Sequence, residues 1–126
     1  MKTIMLMEDN TNQALFYIRE FQREGYHVSL ARNGREAVSQ VKEQIPDIII
    51  MGSTMSVMDC NEDMRSLLGM FREIPLIINT EHYCQREKFR SWAPDACVLK
   101  SADIGELKSR AKEAVFKYDL CLRQVS

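Results

Sequence analysis

The chain has 126 residues and a formal net charge of −1, with lysines and arginines mixed among the acids. That length fits one domain with its own core, and the absence of a basic stripe argues against direct nucleic-acid binding. No apolar run approaches the ~20 residues that a membrane span needs, so no membrane association is expected. The opening residues Met1 to Asp9 meet acid too early for a signal peptide, which makes the cytoplasm the expected location. Four cysteines, Cys60, Cys84, Cys97 and Cys121, are widely spaced without a C-x-x-C pair, and free thiols are expected. His27 and His82 lie near no cysteine, so no zinc site is expected.

Strand-like and helix-like stretches alternate along the chain. Thr3 to Met7 is a short apolar run. Thr11 to Glu24 carries Ala14, Leu15, Ile18 and Phe21 at helical spacing, and Gly25 ends it. Tyr26 to Leu30 is β-like. Asn33-Gly34-Arg35-Glu36 has the form of a helix start, a cap with a glutamate three residues on. Ala37, Val38, Val41 and Ile45 form that helix's expected buried face, and Pro46 stops it.

Asp47 to Met51 is nearly pure isoleucine, as expected of a strand covered on both faces. Asp59 and Glu62 make a second capping signature, followed by the stripe Met64, Leu67, Leu68 and Phe71. Ile74 to Asn79 predicts a fourth strand with Pro75 at its start. His82 to Trp92 is a short predicted helix, and Ala96 to Leu99 a fifth strand. Asp103 is the expected cap of a last helix in which Ile104, Leu107, Ala111, Ala114, Val115 and Tyr118 face inward. Five strands and five helices in strict alternation predict a parallel, doubly wound α/β sheet with right-handed crossovers. Function in such sheets collects at the carboxyl ends of the strands.

Those ends carry Glu8-Asp9, Gly52, Asn79-Thr80 and Lys100-Ser101. If the first and third strands are neighbours, two carboxylates, a hydroxyl and an ammonium converge. Paired carboxylates suit Mg²⁺, and Thr80 and Lys100 suit phosphate oxygens. Two plainer readings compete: Glu8-Asp9 as a cap for the helix near Thr11, and Lys100 as a surface lysine paired with an acid.

The stretches "IMLMEDN", "GYHVSLARNGREAV", "PDIIIMGSTMSVMDC", "IPLIINT" and "DACVLKS" together resemble the receiver domain of two-component response regulators, from Lys2 to about Tyr118. The resemblance implies a flavodoxin-like, five-stranded parallel sheet of order 2-1-3-4-5. It also implies a phosphorylation pocket at Glu8, Asp9, position 52, Thr80 and Lys100. In that family an aspartate follows the apolar run of the third strand and accepts the phosphoryl group; here Gly52 stands in its place. Ser56 and Ser101 stand where the family has proline, Cys60 where it has glycine, and Cys97 where the activation switch has an aromatic residue. The implied Mg²⁺ ligands are Glu8, Asp9 and the Thr54 carbonyl, with binding weakened or lost without the third carboxylate. No cofactor is required.

The expected function follows from that loss. A single receiver-like domain over 1–126, without an effector domain, is expected to act as a pseudo-receiver, a protein-binding module independent of phosphorylation rather than an enzyme. Its expected partner is a signalling kinase or a downstream protein. The expected contact face, made by the fourth helix, fifth strand and fifth helix, carries His82, Tyr83, Lys88, Phe89, Trp92, Cys97 and Lys108 and offers a route to a homodimer. Phe89 and Trp92 are equally readable as core. Phe16 and Tyr17 mark a second surface. Two alternatives remain: weak Mg²⁺-dependent phosphoryl chemistry on a substitute residue, and a thiol sensor at Cys97 and Cys60. A Lys100 pair with Glu8 or Asp9 is expected to join the ends of the first and fifth strands without metal.

Overall fold

The computed structural model describes residues 2–52, 74–80, 95–100 and 104–125, the side chains of 118–125 excepted. Within them lie strands β1 (Thr3–Met7), β2 (His27–Ala31), β3 (Ile48–Gly52), β4 (Leu76–Thr80) and β5 (Ala96–Leu99). The described helices are α1 (Thr11–Arg23), α2 (Gly34–Glu43) and α3 (Gly105–Val125), the last being the fifth helix of the sequence pattern. The segments carrying Asp59 to Phe71, His82 to Trp92 and Asp103 lie outside the described residues.

All five strands are parallel, in the order β2-β1-β3-β4-β5. Every residue of β1, β3 and β4 is buried, which explains their uninterrupted apolar sequences: both faces of a central parallel strand need cover. Alternation then sorts the side chains into two layers. Met5, Met7, Ile49, Met51, Leu76 and Ile78 pack with Ala37 and Val41 of α2. Ile4, Leu6, Ile48, Ile50, Ile77 and Val98 pack with Ala14, Tyr17 and Phe21 of α1 and Leu107, Ala111, Ala114 and Val115 of α3.

At the amino end of the sheet, one motif occurs twice. Asp47 Oδ2 accepts from the Thr3 backbone N–H at 2.7 Å, while Asp47 N–H donates to the Thr3 carbonyl at 2.9 Å. Asp95 Oδ2 accepts from Leu76 N–H at 2.8 Å, while Asp95 N–H donates to the Leu76 carbonyl at 2.7 Å. The helix starts are also set by side chains. Asn10 Oδ1 accepts from Gln13 N–H and Asn33 Oδ1 from Glu36 N–H, each satisfying a donor that has no partner within its helix. Glu36 reaches back to the Arg32 N–H at 2.6 Å. Gly25 follows α1 with φ +92°, a backbone conformation that glycine adopts without a Cβ penalty.

Four expectations are corrected. Gly52 is the last residue of β3, one residue beyond the predicted end at Met51, because it still pairs with Asn79 in the ladder. Ile45 is exposed, because α2 ends at Glu43 and its face ends there too. Tyr17 belongs to the core, so only Phe16 of that pair is a surface residue. Lys108 turns from the expected contact face to α1, where its ammonium meets Glu20 at 3.0 Å and Glu24 at 3.2 Å. Opposite charge on the neighbouring helix decides that direction.

Candidate functional site

Alternation carries Glu8, Gly52 and Lys100 to one place. Each lies two residues beyond an apolar position of the α1–α3 layer: Leu6, Ile50 and Val98. Glu8 is buried, 2% exposed, and Thr80 is buried at the end of β4. Asp9 is exposed. The end of β5 is held by Lys100 N–H, which donates to the Thr80 carbonyl.

The centre of the site is an ion pair. Lys100 Nζ donates to Glu8 Oε1 at 2.7 Å and to Gln13 Oε1 at 2.6 Å. The other Glu8 oxygen, Oε2, accepts from the Asn10 N–H at 3.2 Å. Both charged side chains are largely withdrawn from water, so the attraction is poorly screened. Burying a carboxylate and an ammonium costs several kcal/mol each, and is sustained only when partners occupy the remaining lone pairs and protons. Here Asn10 and Gln13 supply those partners. Of the two acids that sequence left open for Lys100, Glu8 takes the pair.

Gly52 faces this pair directly. A Cβ at position 52 would lie 3.3 Å from Glu8 Oε1 and 3.4 Å from the Met7 carbonyl oxygen. The space beside the missing side chain is therefore bordered by the Glu8 carboxylate. Glu8-Asp9 does not cap α1; Asn10 does. Gln13 was not foreseen as a site residue. Its signal was present in Asn10-Thr11-Asn12-Gln13, a cap followed by a glutamine three residues on, but the glutamine side chain reaches across to Lys100.

The donor set fits Mg²⁺ poorly. Among the described residues, no group of three or more His, Cys, Asp or Glu side chains converges to hold a metal. Of the two expected carboxylates, Glu8 already carries a cation and Asp9 is exposed, and Gly52 has no side chain to offer as a third. Thr54, the expected carbonyl ligand, lies outside the described residues, as do His82, Tyr83 and Trp92 of the expected contact face. Cys97 lies on the α2 side of the sheet. It is disulfide-bonded, which corrects the expectation of a free thiol; its partner lies outside the described side chains. Wide spacing in sequence does not keep two cysteines apart in a fold. Among the described residues, no helix is long and apolar enough to cross a membrane.

Comparison with known proteins agrees with the fold. The family model "Response regulator receiver domain" matches residues 4–112. The chain is 25% identical over 115 residues to the transcriptional regulatory protein ZraR of Escherichia coli, covering 89% of this chain and 26% of that protein. It thus spans about a quarter of the length of the curated relatives it matches. Among solved structures, the response regulator TrrA from Thermotoga maritima, in complex with Mg²⁺-BeF, is 29% identical with a TM-score of 0.79, covering 90% of this chain and 99% of that one. The N-terminal domain of a response regulator/sensory box/GGDEF protein from Carboxydothermus hydrogenoformans is 28% identical with a TM-score of 0.81, covering 96% and 99%. With the strand order, the two core layers and the acidic and basic strand ends in place, the chain belongs to the response regulator receiver domain family.

Proposed function

We propose that this receiver is a pseudo-receiver: a cytoplasmic, non-enzymatic module of a two-component-type pathway that works through protein contacts without an acyl phosphate at position 52. The observation that carries this reading is the end of β3. Forming the acyl phosphate needs a carboxylate there, and Gly52 has none. The nearest described carboxylate, Glu8, has Oε1 held by Lys100 and Oε2 by Asn10, which argues against its serving as a substitute acceptor.

Output then depends on surfaces. Leu15 and Phe16 on α1, and Leu99 at the end of β5, are large apolar side chains left exposed. Leu15 and Phe16 are adjacent on α1, and exposed apolar side chains of that kind are available to protein contacts. A signalling kinase or a downstream protein is the proposed partner class. The face that includes β5 and α3 is the proposed route to a homodimer.

Intact-mass measurement after incubation with Mg²⁺ and a small-molecule phosphodonor tests the reading, with Gly52→Asp as the positive control. The expected result is a phosphoryl adduct on the variant alone. An adduct on the native chain would overturn phosphorylation independence, and mapping it would identify the substitute acceptor.

A further inference from the structure

Of the two carboxylates that a divalent ion could use here, Glu8 and Asp9, the buried one is already held by Lys100. Lys100 Nζ has two oxygen partners, Glu8 Oε1 at 2.7 Å and Gln13 Oε1 at 2.6 Å. Its side chain is only 8% exposed and that of Glu8 2%. We propose that the Lys100 ammonium is the resident cation of this pocket, so that Mg²⁺ and Lys100 are alternatives at Glu8 and the native chain excludes the metal. The inference rests on the pseudo-receiver reading and extends it from the missing acceptor to the missing ion.

Three observations converge. The first is charge. Glu8 and Lys100 neutralise each other, and a divalent ion placed on Glu8 would stand within a few ångströms of a fixed positive charge in a poorly screened site. The second is geometry. Mg²⁺ requires oxygens at ~2.0–2.1 Å in near-octahedral order. The Glu8 and Gln13 oxygens are instead arranged around an ammonium at hydrogen-bond distance, and Glu8 Oε2 is tied to the Asn10 backbone. The third is Gly52. A side chain there would meet Glu8 Oε1 at 3.3 Å from its Cβ onward. A carboxylate at that position would press on Glu8 and compete for Lys100. With no carboxylate at position 52, that competition is absent and Lys100 rests on Glu8. In this arrangement Gln13 is a positioning residue, holding the ammonium on Glu8 from the first turn of α1.

The test is a Mg²⁺ titration of the full chain by calorimetry and thermal melting, with no phosphodonor present. The native chain is expected to give no saturable heat and no Mg²⁺-dependent change in Tm at millimolar ion. Lys100→Met is expected to bind at least about tenfold more tightly, since the competing charge is gone. Gln13→Leu is expected to fall between the two, and it carries the test if Lys100→Met does not fold. The paired variant Glu8→Gln with Lys100→Met is expected to fold and to gain no Mg²⁺ binding. Native Mg²⁺ affinity equal to that of both Lys100→Met and Gln13→Leu would overturn the proposal, as would a gain that persists without the Glu8 carboxylate. A phosphoryl adduct on the native chain strikes the pseudo-receiver reading instead, and is read in a separate experiment.

Discussion

Among the described residues, two lysines from the last part of the chain, Lys100 and Lys108, pair with glutamates of the first, in very different surroundings. Lys100 and Glu8 meet in the interior at the carboxyl ends of the strands, with side chains 8% and 2% exposed. Lys108 meets Glu20 and Glu24 nearer the surface, where the side chains are 22%, 15% and 50% exposed in that order. Water screens the outer group, and the cost of holding long side chains in place nearly cancels its attraction. The inner pair has no such escape. Once both charges have left water, removing one strands the other. A salt bridge is therefore not a unit of stability; its surroundings set whether it is dispensable or obligatory.

The largest test of that contrast is Lys100→Ala. It leaves Glu8 buried without its cation and is expected to cost ~3–5 kcal/mol in urea denaturation. Pairing Lys100→Met with Glu8→Gln is expected to recover most of the loss. Native-like stability in Lys100→Ala would erase the distinction between the two contacts. Gly52→Ala sharpens it from the other side. Its new Cβ must settle 3.3 Å from Glu8 Oε1 and 3.4 Å from the Met7 carbonyl oxygen. Because both Glu8 oxygens are engaged, crowding outweighs the entropic gain of replacing a glycine, for a net loss of about 1 kcal/mol. Asn10→Ala removes the α1 cap and is expected to cost a similar ~1 kcal/mol; a thermal melt reads it directly. Lys108→Met comes last, with a small loss that disappears at high salt.

The outer contact also has a pH signature. The hydrogen bond from Lys108 holds the Glu20 carboxyl below its ordinary value of 4.5. The same bond, seen from the other side, raises Lys108 above 10.5. The Glu20 contribution is therefore complete above pH 4.5 and is lost as pH falls through the lowered value. The Lys108 contribution is complete below pH 10.5 and is lost as pH rises through the raised value. Native-minus-Lys108→Met stability should be flat between those limits and decline outside them. A difference that varied across neutral pH would point to another titrating group.

The sheet was legible in the sequence because its central strands are continuously apolar and its described helices carry local punctuation. Asn33 with Glu36, and Gly25 after α1, act over a few residues and were found from those residues alone. Ile45 was misplaced by a local boundary, the end of α2 at Glu43, but two other misplacements share a different cause, a neighbour distant in sequence. Tyr17 reads as one aromatic among several until the sheet covers it. Lys108 reads as part of an outer face until Glu20 of α1 and Glu24 just after it draw it away. The site followed the same rule. Strand ends named Glu8, Asp9, Gly52, Thr80 and Lys100, because the fold class alone brings strand ends together. Choosing Glu8 over Asp9 for Lys100, and adding Gln13, required knowing which strand-end side chain is buried and where the first turn of α1 stands. Neither is written in spacing.

The paired aspartates at the opposite end of the sheet explain how such a site can change at all. Parallel strands have no hairpin turn between neighbours to count residues, so their phase must be set another way. Asp47 marks zero for β1 against β3, and Asp95 marks zero for β4 against β5, each by clasping the first residue of the adjacent strand. A slip of one residue would break the clasp and send Ile4 and Leu6 to the wrong layer. Alignment is thus fixed at one end of the sheet and chemistry is displayed at the other. The residue at a strand end such as position 52 can vary while every strand stays in phase.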